Sequence, residues 1–233
     1  MSVQDNLKKT IEDIRAAERA VGRTEGSVKL LAVSKFHPAD SVLEAIGCGQ
    51  TMFGENRVQE ASEKFPGIIA THPEVSVHLI GNLQRNKAKA AVALFSCIQS
   101  IDRAEILMEV GHRAEQAGRT IDVLFEYHTG EDSKSGYLSE DSLFESIDML
   151  RDLKYLRCRG LMTMAPFTDD ADTVRKSFRS LANLRERCAT RYPSLDFSEL
   201  SMGMSSDYRI AIEEGSTLVR IGTAIFGERP HTP

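Results

Sequence analysis

Lys29-Leu30-Leu31-Ala32-Val33-Ser34-Lys35 is the stretch that decides the fold. Leu30 to Val33 are apolar at odd and even positions alike, so the segment has no wet face. Strands of that kind belong to parallel sheets covered on both sides. Runs of similar character recur at Thr51–Phe53, Val75–Ile80, Cys97–Ile101, Ile121–Tyr127, Leu156–Met164, Phe197–Met202 and Thr217–Ile221, eight in all with the first.

Between these runs the apolar residues return at helical spacing. Leu7, Ile11, Ile14, Ala17 and Val21 form one stripe ahead of the first strand. Pro38 opens a segment carrying Val42, Leu43 and Ile46, with Gly47 or Gly49 to close it. Asp102 and Glu105 read as a capping box before Ile106, Val110 and Ala114, and Gly118 is a stop. Val174, Phe178, Leu181, Leu184 and Cys188 give a further stripe, and Gly215 ends the last helix before the eighth strand. Eight strands alternating with helices, without a long linker, predict one α/β domain over residues 1–233. Its expected form is a closed (β/α)8 barrel of the TIM type, and a doubly wound open sheet is the alternative.

Composition narrows the function. The 233 residues carry 29 basic and 34 acidic side chains, a net charge of −5, which argues against a nucleic-acid partner. No apolar run approaches the roughly 20 residues of a membrane span, and the start, Met1-Ser2-Val3-Gln4-Asp5, lacks the order of a signal peptide. Cys48, Cys97, Cys158 and Cys188 are irregularly spaced with no C-x-x-C pair. That pattern speaks against a disulfide framework or a metal site and for a reducing compartment. A cytoplasmic location is expected.

In such barrels chemistry gathers where strands run into the following loops. Those stretches are Ser34-Lys35-Phe36-His37, Gly54-Glu55-Asn56-Arg57, Gly81 to Lys87, Met162 to Pro166, Ser201 to Ser205 and Arg220 to Thr223. Strand alternation puts Leu31, Val33 and Lys35 on one face, so the lysine points into the barrel mouth. A neutral lysine amine attacks aldehydes to form a Schiff base. The plainer reading is a strand-end lysine reaching for solvent. The loops after strands seven and eight, Ser201-Met202-Gly203-Met204-Ser205 and Gly222-Thr223, offer backbone amides and hydroxyls to a phosphate. Ordinary turns use the same residue types. Arg220 shares the inward face with Gly222 and needs a partner when buried: Glu55, Asp207, or a ring nitrogen or oxyanion of a ligand. His78 and His128 lie on separate strands without metal-like spacing and read as core residues.

Six ordered blocks then acquire a common meaning. They are Ala32-Val33-Ser34-Lys35, Phe53 to Glu60, His78 to Lys87, Gly160 to Met164, Leu200 to Ser205 and Val219 to Gly227. Together the chain from Leu30 to Gly227 resembles the pyridoxal phosphate homeostasis proteins, the YggS/PROSC type. The resemblance implies a fold like the barrel domain of alanine racemase and pyridoxal 5'-phosphate carried as a Schiff base on Lys35. It further implies phosphate contacts from Ser201, Gly222 and Thr223, Asn56 facing the cofactor, and Arg220 donating to the pyridine nitrogen. The implied role is intracellular vitamin B6 homeostasis, with the cofactor as small-molecule partner and apo-enzymes as recipients. One block departs: Tyr127-His128 stands where the family usually has a Val-Asn pair, ahead of Thr129 to Gly136. Contacts on that side of the pocket are expected to differ.

An arginine at the ring nitrogen makes the ring a poorer electron sink. The barrel also takes up nearly the whole chain, leaving no second domain to cover the pocket. A non-catalytic, monomeric binding protein is therefore expected. The rivals are a racemase-like enzyme using the same cofactor and a Schiff-base aldolase acting on sugar phosphates.

Overall fold

The computed structural model describes residues 2–130 and 135–228. Each expected run forms a strand: β1 (Lys29–Val33), β2 (Met52–Glu55), β3 (Ser76–Leu79), β4 (Cys97–Ile101), β5 (Ile121–Glu126), β6 (Leu156–Met162), β7 (Glu199–Ser201) and β8 (Leu218–Ile221). The helices are α1 (Val3–Ala20), α2 (Ala39–Gly47), α3 (Val58–Thr71), α4 (Ala88–Leu94), α5 (Ala104–Ala117), α6 (Glu140–Met149), α7 (Ala171–Arg191), α8 (Tyr208–Glu213) and α9 (Thr223–Phe226). Neighbouring strands pair in parallel all the way round, and β8 closes the ring on β1 from Lys29–Leu218 to Ala32–Ile221. The open-sheet alternative is thereby excluded.

Alternation along the strands separates two interiors. Ala32, Phe53, Val77, Leu79, Ile98, Val123, Phe125, Leu161, Leu200, Val219 and Ile221 belong to the large core shared with the helices, among them Phe65 of α3 and Phe178 of α7. Residues of opposite parity face the barrel axis. There Cys97, Leu124 and Met162 form a small apolar cluster of their own. Around it lie polar residues of the same parity, His78, Gln99, Ser201 and Arg220, all buried.

Local chemistry sets the element ends. Ser2 and Asp5 form a capping box at the start of α1. Pro38 precedes α2, and Gly118 ends α5 in the left-handed conformation at φ 58°. The capping box expected of Asp102 and Glu105 is not formed. Helix α5 starts one residue later, at Ala104 with Arg103 as its N-cap, and Asp102 instead accepts from Asn82 Nδ2 at 3.0 Å and from Arg103. Two glycines allow close strand-end packing. A Cβ on Gly81 would overlap the Asn56 carbonyl oxygen, and Gly160, at φ 145°, faces the Glu199 carbonyl in the same way.

Candidate functional site

Strand β1 delivers Lys35 to a cleft of about 900 Å³ at the C-terminal ends of the strands. Val33 and Lys35 both line it, as their shared parity requires, while Ala32 lies on the other side of the sheet. Asn56 after β2, Ile80 and Asn82 after β3, Glu126 at the end of β5 and Met164 after β6 complete the wall. Gly222 and Thr223 line it from the start of α9. The structure thus brings Lys35, Asn56, Arg220, Gly222 and Thr223 to one place.

Phe36, next to the lysine, has φ 67° and is the non-glycine residue with positive φ among those described. A bulky side chain in that region costs about 1–3 kcal/mol and persists only where its surroundings hold it. Its amide donates to Glu60 Oε1 at 2.6 Å. The neighbouring His37 stacks on Phe226 with ring centroids 5.3 Å apart, tying the loop after β1 to α9. Burial, then the nearby Lys64 ammonium, lowers the His37 pKa.

Arg220 is the floor of the cleft. It is 4% exposed, and its pKa is lowered to about 10 by burial, so it stays a cation at neutral pH. Its Nη1 donates to the Ser201 carbonyl at 2.7 Å and to Ser201 Oγ at 2.8 Å, and Nη2 donates to the Thr163 carbonyl at 2.7 Å. Asp207 and Glu126 add attraction at longer range. Of the partners considered for Arg220, Glu55 is excluded. Gly54, in contact range of Leu31 and Ile80, points inward, so Glu55 points outward, where it pairs with Lys64 Nζ at 2.8 Å.

Ser201 also differs from expectation. It is fully buried and is not part of the cleft wall. Its hydroxyl accepts from Arg220 and donates to Gln99 Oε1 at 2.6 Å, one level below the floor. The hydroxyls that this loop brings to the cleft are those of Ser205 and Ser206, after Gly203 turns the chain at φ 98°. Ser201 starts a directed chain of hydrogen bonds along the barrel axis. Gln99 Nε2 donates to His78 Nδ1 at 2.8 Å, His78 Nε2 meets Ser76 Oγ at 3.1 Å, and Ser76 meets Ser96 Oγ at 2.6 Å. The amide donor on Nδ1 makes His78 the neutral Nε2–H tautomer, which donates in turn to Ser76 Oγ. Burial lowers the His78 pKa to about 4, consistent with that neutral form. Gln99 and this chain were absent from the sequence reading, although the parity of β4 placed Gln99 inward.

On the departing side, Tyr127 pairs through its backbone with Tyr137, and Ser135 Oγ donates to Glu126 Oε2 at 3.2 Å. Glu131 to Lys134, part of that departing block, lie outside the described residues. No group of metal-ligating side chains occurs among the described residues, and no described helix is long and apolar enough to cross a membrane.

Residues 6–230 match the model of the alanine racemase N-terminal domain. A pyridoxal phosphate homeostasis protein of Vibrio cholerae is 40% identical over 99% of this chain and 98% of its own length. One of Escherichia coli K12 is 38% identical over 99% and 98%. The chain belongs to the pyridoxal phosphate homeostasis protein family. A solved member, PipY of Synechococcus elongatus PCC7942 with PLP bound, superposes with a TM-score of 0.85 at 34% identity, covering 97% of this chain and all of PipY. An alanine racemase of Clostridium difficile shares the fold at a TM-score of 0.73 and 16% identity, and this chain spans 57% of it. Within the family, the barrel expected from eight buried runs is thus the shared architecture.

Proposed function

We propose that this protein binds pyridoxal 5'-phosphate at the barrel mouth, attached through Lys35, and acts in the cell as a holder and donor of that cofactor. The observation that carries the reading is one cleft with an amine on its wall, a guanidinium at its floor and hydroxyls and glycine at its rim. That donor set fits the molecule group by group: Lys35 for the aldehyde, Arg220 for the pyridine nitrogen, and Gly222, Thr223, Ser205 and Ser206 for the phosphate. The amides opening α9 lack acceptors within their own helix and add to the phosphate contacts. Asn56 faces the ring from β2, and Ser201 acts through Arg220.

The bound cofactor supplies an aldehyde and an electron-withdrawing ring. Arg220, still protonated at neutral pH, donates to the ring nitrogen and leaves it unprotonated, which weakens that withdrawal. Lys35 holds the molecule, Thr223 orients the phosphate, and no described residue is assigned an acid–base step. A non-catalytic, cytoplasmic, monomeric role with apo-enzymes as recipients belongs to the same reading, as does a single unit over residues 1–233. Racemase-like activity is the second reading, favoured by a cleft of about 900 Å³ that leaves room for an amino acid beside the cofactor.

Borohydride reduction and peptide mapping test the attachment. Lys35→Ala should yield no trapped adduct while keeping its thermal transition. An adduct that persists on another lysine would move the site there. Incubation of the loaded protein with single enantiomers of amino acids decides between the two readings.

A further inference from the structure

Lys35 stands between two residues whose backbones are held by one ion cluster on the far side of the sheet. Lys64 of α3 donates from Nζ to the Ser34 carbonyl at 2.8 Å, to Glu55 Oε1 at 2.8 Å and to Glu60 Oε1 at 3.1 Å. Ser34 Oγ donates to the same Glu55 oxygen at 2.7 Å. Glu60 Oε1 also accepts the Phe36 amide at 2.6 Å. Ser34 is thus gripped at its carbonyl and hydroxyl, and Phe36 at its amide. The residue between them is the cleft lysine.

The inner pair of the cluster, Glu55 and Lys64, is shielded from water, while the Glu60 side chain is 24% exposed. The Glu55 side chain is fully buried and that of Lys64 is 7% exposed, so their attraction is weakly screened. None of Glu55, Glu60 and Lys64 lines the cleft. Beyond the field of Lys64 and Glu60 at His37, what they hold is the backbone on either side of Lys35. Phe36, in its left-handed conformation, is the point where the chain would relax if the grip on its amide were lost.

We propose that Glu60, with Lys64 and Glu55, is a positioning device that sets the direction in which the Lys35 amine enters the cleft. The proposal rests on Lys35 being the point of attachment. In the step it serves, the Lys35 amine adds to the aldehyde carbon, a C=N bond forms, and the aldehyde oxygen departs as water with both amine protons. A misdirected amine slows that step, because the reaction depends steeply on how the two atoms approach. It leaves non-covalent binding of the same ring and phosphate unchanged.

Glu60→Ala removes the acceptor for the Phe36 amide, and Glu60→Gln restores an oxygen there. Two quantities are measured for each protein. One is the rate of borohydride-trappable attachment of pyridoxal 5'-phosphate to Lys35. The other is the affinity for 4'-deoxypyridoxine 5'-phosphate, which has no aldehyde. The alanine variant should attach about ten- to a hundred-fold more slowly with its analogue affinity held within about two-fold, and the glutamine variant should recover most of the rate. Adding Phe36→Gly to Glu60→Ala should also recover rate relative to Phe36→Gly alone as the control, since glycine takes the same φ without strain. An unchanged rate in Glu60→Ala overturns the proposal. So does a parallel loss of analogue affinity, which would make the cluster a support of the whole pocket. Absence of a Lys35 adduct in the unaltered protein would instead overturn the attachment reading on which the proposal stands.

Discussion

Replacing Ser201 by alanine separates a floor support from a phosphate ligand. The Ser201 hydroxyl accepts from Arg220 Nη1 at 2.8 Å and donates to Gln99 Oε1 at 2.6 Å, both in a fully buried setting. Alanine deletes both bonds and leaves Arg220 on the carbonyls of residues 201 and 163. A bond to a charged donor contributes about 1.5–3 kcal/mol and a neutral one about 1 kcal/mol. The sum, about 3 kcal/mol, lowers Tm by about 6–12 °C for a domain of this size. Thermal unfolding of the ligand-free variant measures that drop. Titrations with pyridoxal and with its phosphate then follow. Both ligands should weaken in similar proportion, because the loosened group lies under the ring and not at the rim. A Tm within about 2 °C of the parent, or a loss confined to the phosphorylated ligand, would refute the assignment.

Three further outcomes follow from the same geometry. His78 has a folded pKa near 4 against an ordinary 6.5, so the unfolded chain binds the proton more readily. Its contribution is present above pH 6.5 and lost as pH falls toward 4, about 3 kcal/mol in all. His78→Gln should flatten the pH dependence of Tm across that window, and an unchanged slope would assign the loss to other groups. Thr223→Val should weaken the phosphorylated ligand more than pyridoxal in equilibrium titrations, and equal losses would remove Thr223 from the phosphate contacts. Gly81→Ala drives a methyl group into the Asn56 backbone and should cost about 1–3 kcal/mol in chemical denaturation, with Asn56 displaced. A neutral outcome would mean that the β2 and β3 ends move apart freely.

Much of the fold was legible because parallel strands buried on both sides leave an unbroken apolar signal. Leu30 to Val33 in β1 and Val123 to Phe125 in β5 show it plainly. Strand β7 was read longer than its Glu199–Ser201 core, since Phe197 and Met202 are apolar for packing reasons outside the ladder. Parity also placed Lys35 and Arg220 in the barrel mouth. What parity cannot carry is depth along the axis. Ser201 and Lys35 both face inward, yet one sits under the floor and the other on the wall, a difference set by strand stagger. The Glu55 partner was legible in principle. Glu60 and Lys64 stand four apart on α3, and β2 parity turned Glu55 toward that helix. The axial chain through Gln99 escaped because each member, taken alone, is an ordinary polar residue in an apolar run.

The filled axis has a kinetic consequence. Below Arg220 the described interior is occupied by the Ser201–Gln99–His78 chain and by Cys97, Leu124 and Met162, so a molecule resting on the floor arrives and leaves through the same doorway. A molecule held on the floor leaves by the mouth before that place is filled again. The dwell time of a molecule on the floor then sets how fast that place turns over.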